Sequence, residues 1–345
     1  MTTTRLQNVR ENALIERLAR GFARSPMQLN RRHETDAELI RLPGLDQLLV
    51  LTTDAIVEEI ELGLYDDPDL VGWMTVTASA SDLAAVGADP VGVLLIESLP
   101  EHLGEAAVAA MQAGIESACL TYALPVLGGD TNTSASWQMA AVAVGLVPDG
   151  AAMTRCGARP GDAVCTTGLL GAGAAFAAAR LLGQSPSFAF RPVARLDAGR
   201  VLRGRASSCI DTSDGALAAL DQLMRLNDVG FRLDAPDRTL HPSARRTAEA
   251  LGVPPWMMLA GLHGEFELLF CLPDEALPAL RREAIQAGWK PLRIGTVTDV
   301  PRIEIATPQG TLALDTGAIR NLFATPLPPL DTLIPQIHAC AQPVS

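Results

Sequence analysis

Lysine is nearly missing from this 345-residue chain: of its 27 basic residues, Lys290 alone is a lysine. A Walker A loop needs a lysine after its glycines, a protein-kinase site needs one on a strand, and a pyridoxal enzyme needs one for its Schiff base. Lys290, in Gly288-Trp289-Lys290-Pro291, fits none of these patterns. Basic runs are also missing, and 39 acidic residues leave a net charge of −12. That balance argues against a nucleic-acid footprint beyond a local patch such as Arg31-Arg32. Aromatics make up only 4%, which suits an Ala/Leu/Val-rich α/β protein better than a Tyr- and Trp-rich β-sandwich. No stretch approaches the ~20 uninterrupted apolar residues of a membrane span. Met1 to Ser25 carries no apolar signal-peptide core, so a cytoplasmic location without a membrane partner is expected. The six cysteines, Cys119, Cys156, Cys165, Cys209, Cys271 and Cys340, form no Cys-x-x-Cys pair and read as reduced thiols.

What is present is apolar and periodic. With 48% hydrophobic residues the chain can bury one large core or two ordinary ones. Leu14, Leu18 and Phe22, with Ile15 beside them, recur at helical spacing and predict a leading helix over Asn8 to Phe22. Leu48 to Leu51 reads as a buried strand that delivers Thr52-Thr53-Asp54 at its end. A helix from Asp69 to Val86 closed by Gly87, a strand from Val91 to Ile96, a helix from Glu105 to Tyr122 and a strand from Met139 to Val147 follow. The turn-rich stretch Pro148 to Gly161 places a domain boundary near residue 150, between an N-terminal domain (1–150) and a second domain (151–325). The second domain offers strands at Ala163–Thr167, Ser208–Asp211, Glu267–Leu272 and Leu292–Val297, and helices at Ala172–Leu182, Gly215–Leu226 and Asp274–Ala287. Residues 326–345 hold five prolines and are expected as an extended tail. The fold class is α/β, with mixed sheets.

Six aspartates stand where the chain leaves an apolar segment or enters a turn: Asp36, Asp54, Asp82, Asp130, Asp211 and Asp214. Taken singly, each suits a turn or a helix N-cap, Asp214 especially. Taken together, clustered carboxylates repel unless a cation neutralises them, and hard oxygen ligands suit Mg²⁺, which bridges carboxylates to phosphates. Metal-held phosphates would account for both the aspartate excess and the lysine deficit. Gly128-Gly129-Asp130-Thr131 lets a backbone approach a ligand closely while Asp130 points a charge at it. Arg155 can pair with a phosphate oxygen or with a neighbouring acid. Gly168-Leu169-Leu170-Gly171-Ala172-Gly173 is either an anion-binding turn or a close strand-to-helix packing turn. As a dinucleotide fingerprint it lacks the ribose-binding acid about 20 residues on, which places a dehydrogenase last.

The order of these motifs is specific. Thr52-Thr53-Asp54, Ser81-Asp82-Leu83-Ala84-Ala85-Val86-Gly87-Ala88, Gly128-Gly129-Asp130-Thr131, Arg155-x-Gly157-Ala158-x-Pro160-Gly161-Asp162, Asp211-x-Ser213-Asp214-Gly215 and Gly264-Glu265-x-Glu267-Leu268-Leu269-Phe270 closely resemble the thiamine-monophosphate kinase family. That family lies in the wider group of aminoimidazole ribonucleotide synthetase and selenophosphate synthetase. The resemblance runs from about Glu11 to Phe323. It implies an ATP-dependent kinase with a two-domain fold of the synthetase type, whose N-terminal sheet pairs with a second copy in a homodimer. ATP and several Mg²⁺ ions would lie between the domains. Carried over, the metal ligands are Asp36, Thr52, Thr53, Asp54, Asp82, Asp130, Asp211 and Asp214, with Asp54, Asp130 and Asp214 catalytic. Gly129, Asp130, Arg155 and Ser213 would face ATP, and Glu265 the phosphate acceptor or its pocket.

The departures fall mainly on the acceptor side. Where the family has Gly-Asp-Asp-Ala-Ala-Val, this chain has Glu34-Thr35-Asp36-Ala37-Glu38-Leu39. A substrate-side histidine has become Glu61, an aromatic that holds the thiamine moiety has become Thr316, and the Gly-Gly-Glu-Asp-Tyr-Glu-Leu motif is shortened to His263-Gly264-Glu265-Phe266-Glu267-Leu268. The helix-opening aspartate of the glycine turn is Ala172. The retained metal set speaks for a working Mg-ATP site and against a non-catalytic nucleotide-binding homologue. The altered positions admit, as an alternative to thiamine monophosphate, a different small-molecule acceptor, and Glu61 would favour a cationic one.

Overall fold

The strand that carries Thr52-Thr53-Asp54 shows how this sequence folds. Along β2 (Gln47–Ala55), Leu48, Val50 and Thr52 are buried while Leu49, Leu51 and Thr53 are more open, the period of two expected of a sheet with one covered face. The computed structural model describes residues 6–234, 236–261, 263–323 and 327–344. Helix α1 (Arg10–Ala19) precedes β1 (Glu38–Arg41) and β2, followed by a short helix α2 (Val57–Glu61), helix α3 (Pro68–Val86), β3 (Asp89–Pro100), α4 (Gly104–Tyr122), β4 (Val126–Ser134) and β5 (Gln138–Pro148). These strands form one sheet in the order β1-β2-β5-β3-β4. Only β3 and β4 run parallel in it.

Helix α3 is the central element. Asp67 caps its start by accepting the Asp69 amide, Pro68 occupies its first turn, and Gly87 ends it in a left-handed cap at φ 74°. Sixteen of its 19 residues are buried, as expected of a helix that is apolar all round. Its hydroxyls are satisfied internally: Thr75 and Thr77 donate to the carbonyls of Val71 and Trp73, and Ser79 to that of Ala141. Helix α4 crosses α3 at Gly72 and Gly114, where an added Cβ would collide with the carbonyl oxygens of Met111 and Asp69.

The second sheet begins at β6 (Ala163–Thr166). Helices α5 (Ala172–Leu181) and α6 (Leu196–Leu202), β7 (Ser208–Asp211), α7 (Ala216–Asn227), β8 (Gly230–Leu233), α8 (Pro242–Leu251), β9 (Leu268–Leu272), α9 (Leu277–Gln286) and β10 (Leu292–Thr298) follow, then β11 (Ile303–Thr307), β12 (Gly310–Leu314) and α10 (Thr316–Leu322). With β13 (Ala341–Pro343) at one edge, the sheet order is β13-β12-β11-β8-β10-β6-β9-β7. The expected extended tail over 326–345 is corrected. Leu330–Ala339 forms helix α11 and Ala341–Pro343 forms β13, paired antiparallel with β12; Pro326 and Ser345 lie outside the described residues. Leu330, Leu333, Ile334 and Ile337 recur at helical spacing, and Leu333 and Ile337 are buried, so packing outweighs Pro335 within the helix. Among the described residues, no helix is long and apolar enough to cross a membrane.

Candidate active site

Four segments deliver carboxylates to the seam between the sheets. On β2 the inward face that buries Leu48, Val50 and Thr52 reaches Asp54 at the strand's end, and Asp82 projects from the last turns of α3 beside it. Asp36 comes from the segment before β1, and Asp211 from the last position of the fully buried β7. Asp36, Asp82 and Asp211 each place a carboxylate oxygen so that all three lie within 4.8 Å of one another. Thr52 Oγ1 donates to Asp82 Oδ2. Ser81 Oγ donates to Asp211 Oδ2 at 2.6 Å and Ser213 Oγ to Asp211 Oδ1 at 2.8 Å. Arg155 Nη2 donates to Asp36 Oδ1 at 2.8 Å, so the acid, not solvent, holds this arginine.

The electrostatics follow from that crowding. Burial, then repulsion by Asp211 and Asp214, pushes the Asp54 carboxyl up to about 7. Asp214 is also pushed to about 7, by burial and then by Glu11 and Asp211, and Asp211 to about 6, by burial and then by Asp36. Asp82 is raised well above the carboxylate range, by burial and then by Asp54 and Asp211. Burial would lower the Arg155 guanidinium, but Asp36 outweighs it and holds the group protonated. Carboxylates packed this way keep protons unless a cation replaces them. The donor set is hard oxygen throughout, and buried Asp36 Oδ2 has no hydrogen-bond partner among the described residues. Both features fit Mg²⁺.

Two cavities meet here, each of about 490 Å³. The first contains Asp36, Thr53, Asp54, Asp82, Arg155, Asp211, Ser213 and Asp214. The second, next to it, is walled by Val9, Leu14, Leu62, Thr316 and Ile319, together with charged groups common to both. Asp214 lines both cavities. It does not cap α7, whose N-cap is Gly215 with no side-chain hydrogen bond.

Several expected site residues stand elsewhere. Asp54 is level with Ala141 on β5, which is level with Leu95 on β3 and then Gly129 on β4. At about 4.8 Å per strand, Asp130 and Gly129 are therefore roughly 14 Å from Asp54. Both are exposed on the sheet's edge strand, and Asp130 accepts a hydrogen bond from Asn132 at 2.7 Å. The glycine at 129 has a packing reason, because a Cβ there would collide with the Leu95 carbonyl. Glu61 is exposed and lines neither cavity, whereas Glu58 and Glu59 of the same helix line both. Thr316 reaches the second cavity with its hydroxyl committed to Asp221 Oδ1 at 2.6 Å. Glu265 lines neither cavity but a separate one of about 360 Å³, with Arg195 and Glu267. Its Oε2 accepts the Gly171 amide at 2.7 Å at the start of α5, and burial followed by Glu267 pushes its carboxyl up to about 8. The glycine turn is thus a packing turn: a Cβ on Gly173 would strike the Gly264 carbonyl.

Sequence reasoning missed Ser81, Glu11, Glu59 and Arg320. Ser81 stood in a quoted motif beside Asp82. The others carry no local signal, because their place depends on how α1, α2 and α10 meet.

The family described as AIR synthase related protein, N-terminal domain, matches residues 34–147. The thiamine-monophosphate kinase of Escherichia coli K12 is 31% identical over 249 residues, 69% of this chain and 75% of the relative. That of Synechococcus elongatus is 30% identical over 305 residues, 82% of this chain and 89% of the relative. A solved structure described as AaThiL complexed with AMPPCP and TMP superposes with a TM-score of 0.72 at 23% identity, covering 88% of this chain and 95% of that one.

Proposed function

The chain belongs to the thiamine-monophosphate kinase family, and from that membership we propose that it transfers the terminal phosphoryl group of ATP to the phosphate of thiamine monophosphate, giving thiamine diphosphate and ADP. The observation that carries this reading is the juxtaposition of the three-aspartate cluster with a second cavity of equal size. A polyphosphate held at the aspartates would have its terminal group facing an acceptor next door.

Asp36, Asp82 and Asp211 would hold Mg²⁺, with Thr53, Asp54 and Asp214 around the same cavity. The ion, when bound, neutralises polyphosphate charge and stabilises the charge that develops as the phosphoryl group moves. Arg155 fixes Asp36, Ser81 and Ser213 fix Asp211, and Thr52 fixes Asp82, so the ligands are pre-oriented. An acceptor phosphate is already ionised near neutral pH, so no general base is required. In the second cavity Glu58 and Glu59 suit a cationic thiazolium, and Val9, Leu14 and Ile319 its rings.

We infer that the protein works as a homodimer. The outer face of the first sheet carries exposed Leu94, Ile96, Val126 and Leu127, and β4 ends the sheet with an open edge among the described residues. Pairing of two such faces would give Asp130 and Gly129 a cleft other than the one their own chain forms.

The test incubates purified protein with Mg-ATP and thiamine monophosphate and follows thiamine diphosphate by chromatography. One diphosphate per ADP is expected. ADP formed only with another small cationic acceptor would favour the alternative acceptor, and no ATP turnover with any acceptor would sink the kinase reading.

A further inference from the structure

The wall common to both cavities consists of Glu11, Glu58, Glu59, Asp214, Ala218 and Arg320. Arg320, on α10, is its one cation among the described residues. Arg155 lines only the first cavity and Arg10 only the second. The guanidinium is gripped from behind: Nη1 donates to Asp221 Oδ2 and to Gln222 Oε1, both at 3.0 Å, and Nη2 donates to Glu11 Oε2 at 2.9 Å. Asp221 is fully buried but does not depend on Arg320. Arg225 Nε and Nη2 donate to its two oxygens at 2.7 and 2.9 Å, and Thr316 adds a third bond. Two arginines therefore meet at one buried carboxylate, and Glu11, at the rim, is the second acid that Arg320 holds. Glu11 is 58% exposed, and an ion pair that open contributes little. An incoming dianion can replace it on a guanidinium whose fork suits phosphate oxygens.

On the reading that the two cavities serve phosphoryl transfer, we propose that Arg320 is a specificity-determining residue that binds the acceptor's phosphate, its Nη2 exchanging Glu11 for a phosphate oxygen at the boundary of the two cavities. Glu11 holds the guanidinium in place until the acceptor arrives. Because Glu11 sits on α1, the same exchange joins acceptor binding to the helix that roofs both cavities.

The test compares binding of thiamine monophosphate and of thiamine, which lacks the phosphate, by calorimetry with a non-hydrolysable ATP analogue present. Wild type, Arg320→Gln and Glu11→Gln are used as full-length chains, beside turnover assays and melting curves. Wild type should prefer the monophosphate. Arg320→Gln should lose about 10- to 100-fold in affinity for the monophosphate, the range for a hydrogen bond to a charged group, with thiamine binding unchanged. Glu11→Gln, which keeps α1 in place but removes the competing charge, should bind the monophosphate more tightly and thiamine equally. Equal losses for both ligands, or none, in Arg320→Gln would overturn the proposal. So would a Glu11→Gln variant that binds the monophosphate no better. A wild type that shows the preference and responds to both substitutions, yet forms no diphosphate, would remove the kinase reading and leave the role of Arg320 standing. A wild type that does not bind the monophosphate would remove both.

Discussion

At the residue scale, the site is a set of acids that cannot all be ionised together. Asp211 sits near 6 and Asp54 and Asp214 near 7, against an ordinary 3.8. Carboxyls raised on folding contribute stability to the metal-free protein that is fully present below the ordinary carboxylate range and is lost as pH climbs through 6 and 7. Added Mg²⁺ should restore it, with the largest rise in melting temperature above pH 7. Binding must also release protons, which calorimetry in buffers of different ionisation enthalpy will show as a buffer-dependent heat between pH 6 and 7. Asp82→Asn should weaken Mg-ATP binding by roughly 100-fold, on the scale of losing one metal ligand or its support; unchanged affinity would contradict the assignment. Glu265 supplies an independent check. Its carboxyl, near 8 instead of 4.5, makes stability fall as pH rises through 8, and Glu265→Gln should flatten that dependence without changing Mg²⁺ affinity. Taken singly the aspartates suit turns and caps; they were legible as a set, through the order of the motifs that carry them. Asp130 was legible as a motif, but its distance from the others was not, since sheet order is invisible in sequence.

At the element scale, α3 decides the architecture. The sequence places it from Asp69 to Val86 with Gly87 as its end, and the helix spans Pro68–Val86 with Gly87 as its left-handed cap. Helix α1 shows the opposite case. Leu14, Leu18 and Phe22 predicted a leading amphipathic helix over Asn8 to Phe22, yet the helix ends at Ala19, Leu18 and Phe22 are 61% and 74% exposed, and the buried residue is Asn12, hydrogen-bonded to Gln222. Leu14 lines one cavity and Ile15 the other, so part of the stripe borders the cavities and not the core. Periodicity reveals an amphipathic face but not what covers it. The tail failed for a related reason: five prolines masked four apolar residues at helical spacing. The crossing of α3 and α4 yields a structural prediction. Gly114→Ala inserts a methyl group against the Asp69 carbonyl and should lower stability by about 1–3 kcal/mol in urea denaturation, the usual range for overpacking. A neutral outcome would mean that the helices can separate without loss.

At the scale of the whole molecule, the deficit of lysine and the net charge of −12 share one origin in part. Five aspartates, Asp36, Asp54, Asp82, Asp211 and Asp214, line one cavity at the seam, where on the proposed reading a divalent cation and not a lysine would be the complement to phosphate. The outer face of the first sheet argues for a paired molecule. A Leu94→Glu, Leu127→Glu double variant is expected to sediment as a monomer where wild type sediments as a dimer, and a wild-type monomer would contradict the pairing. The central claim is that ATP held at the aspartate cluster gives its terminal phosphoryl group to a phosphate in the adjoining cavity. It is tested most directly with ATP labelled in the terminal phosphate, thiamine monophosphate and Mg²⁺, followed by mass spectrometry of the thiamine products. The label should appear in the outer phosphate of thiamine diphosphate, and should disappear from that product without Mg²⁺ or in Asp54→Asn. Label found only in inorganic phosphate, or equal transfer by Asp54→Asn, would contradict it.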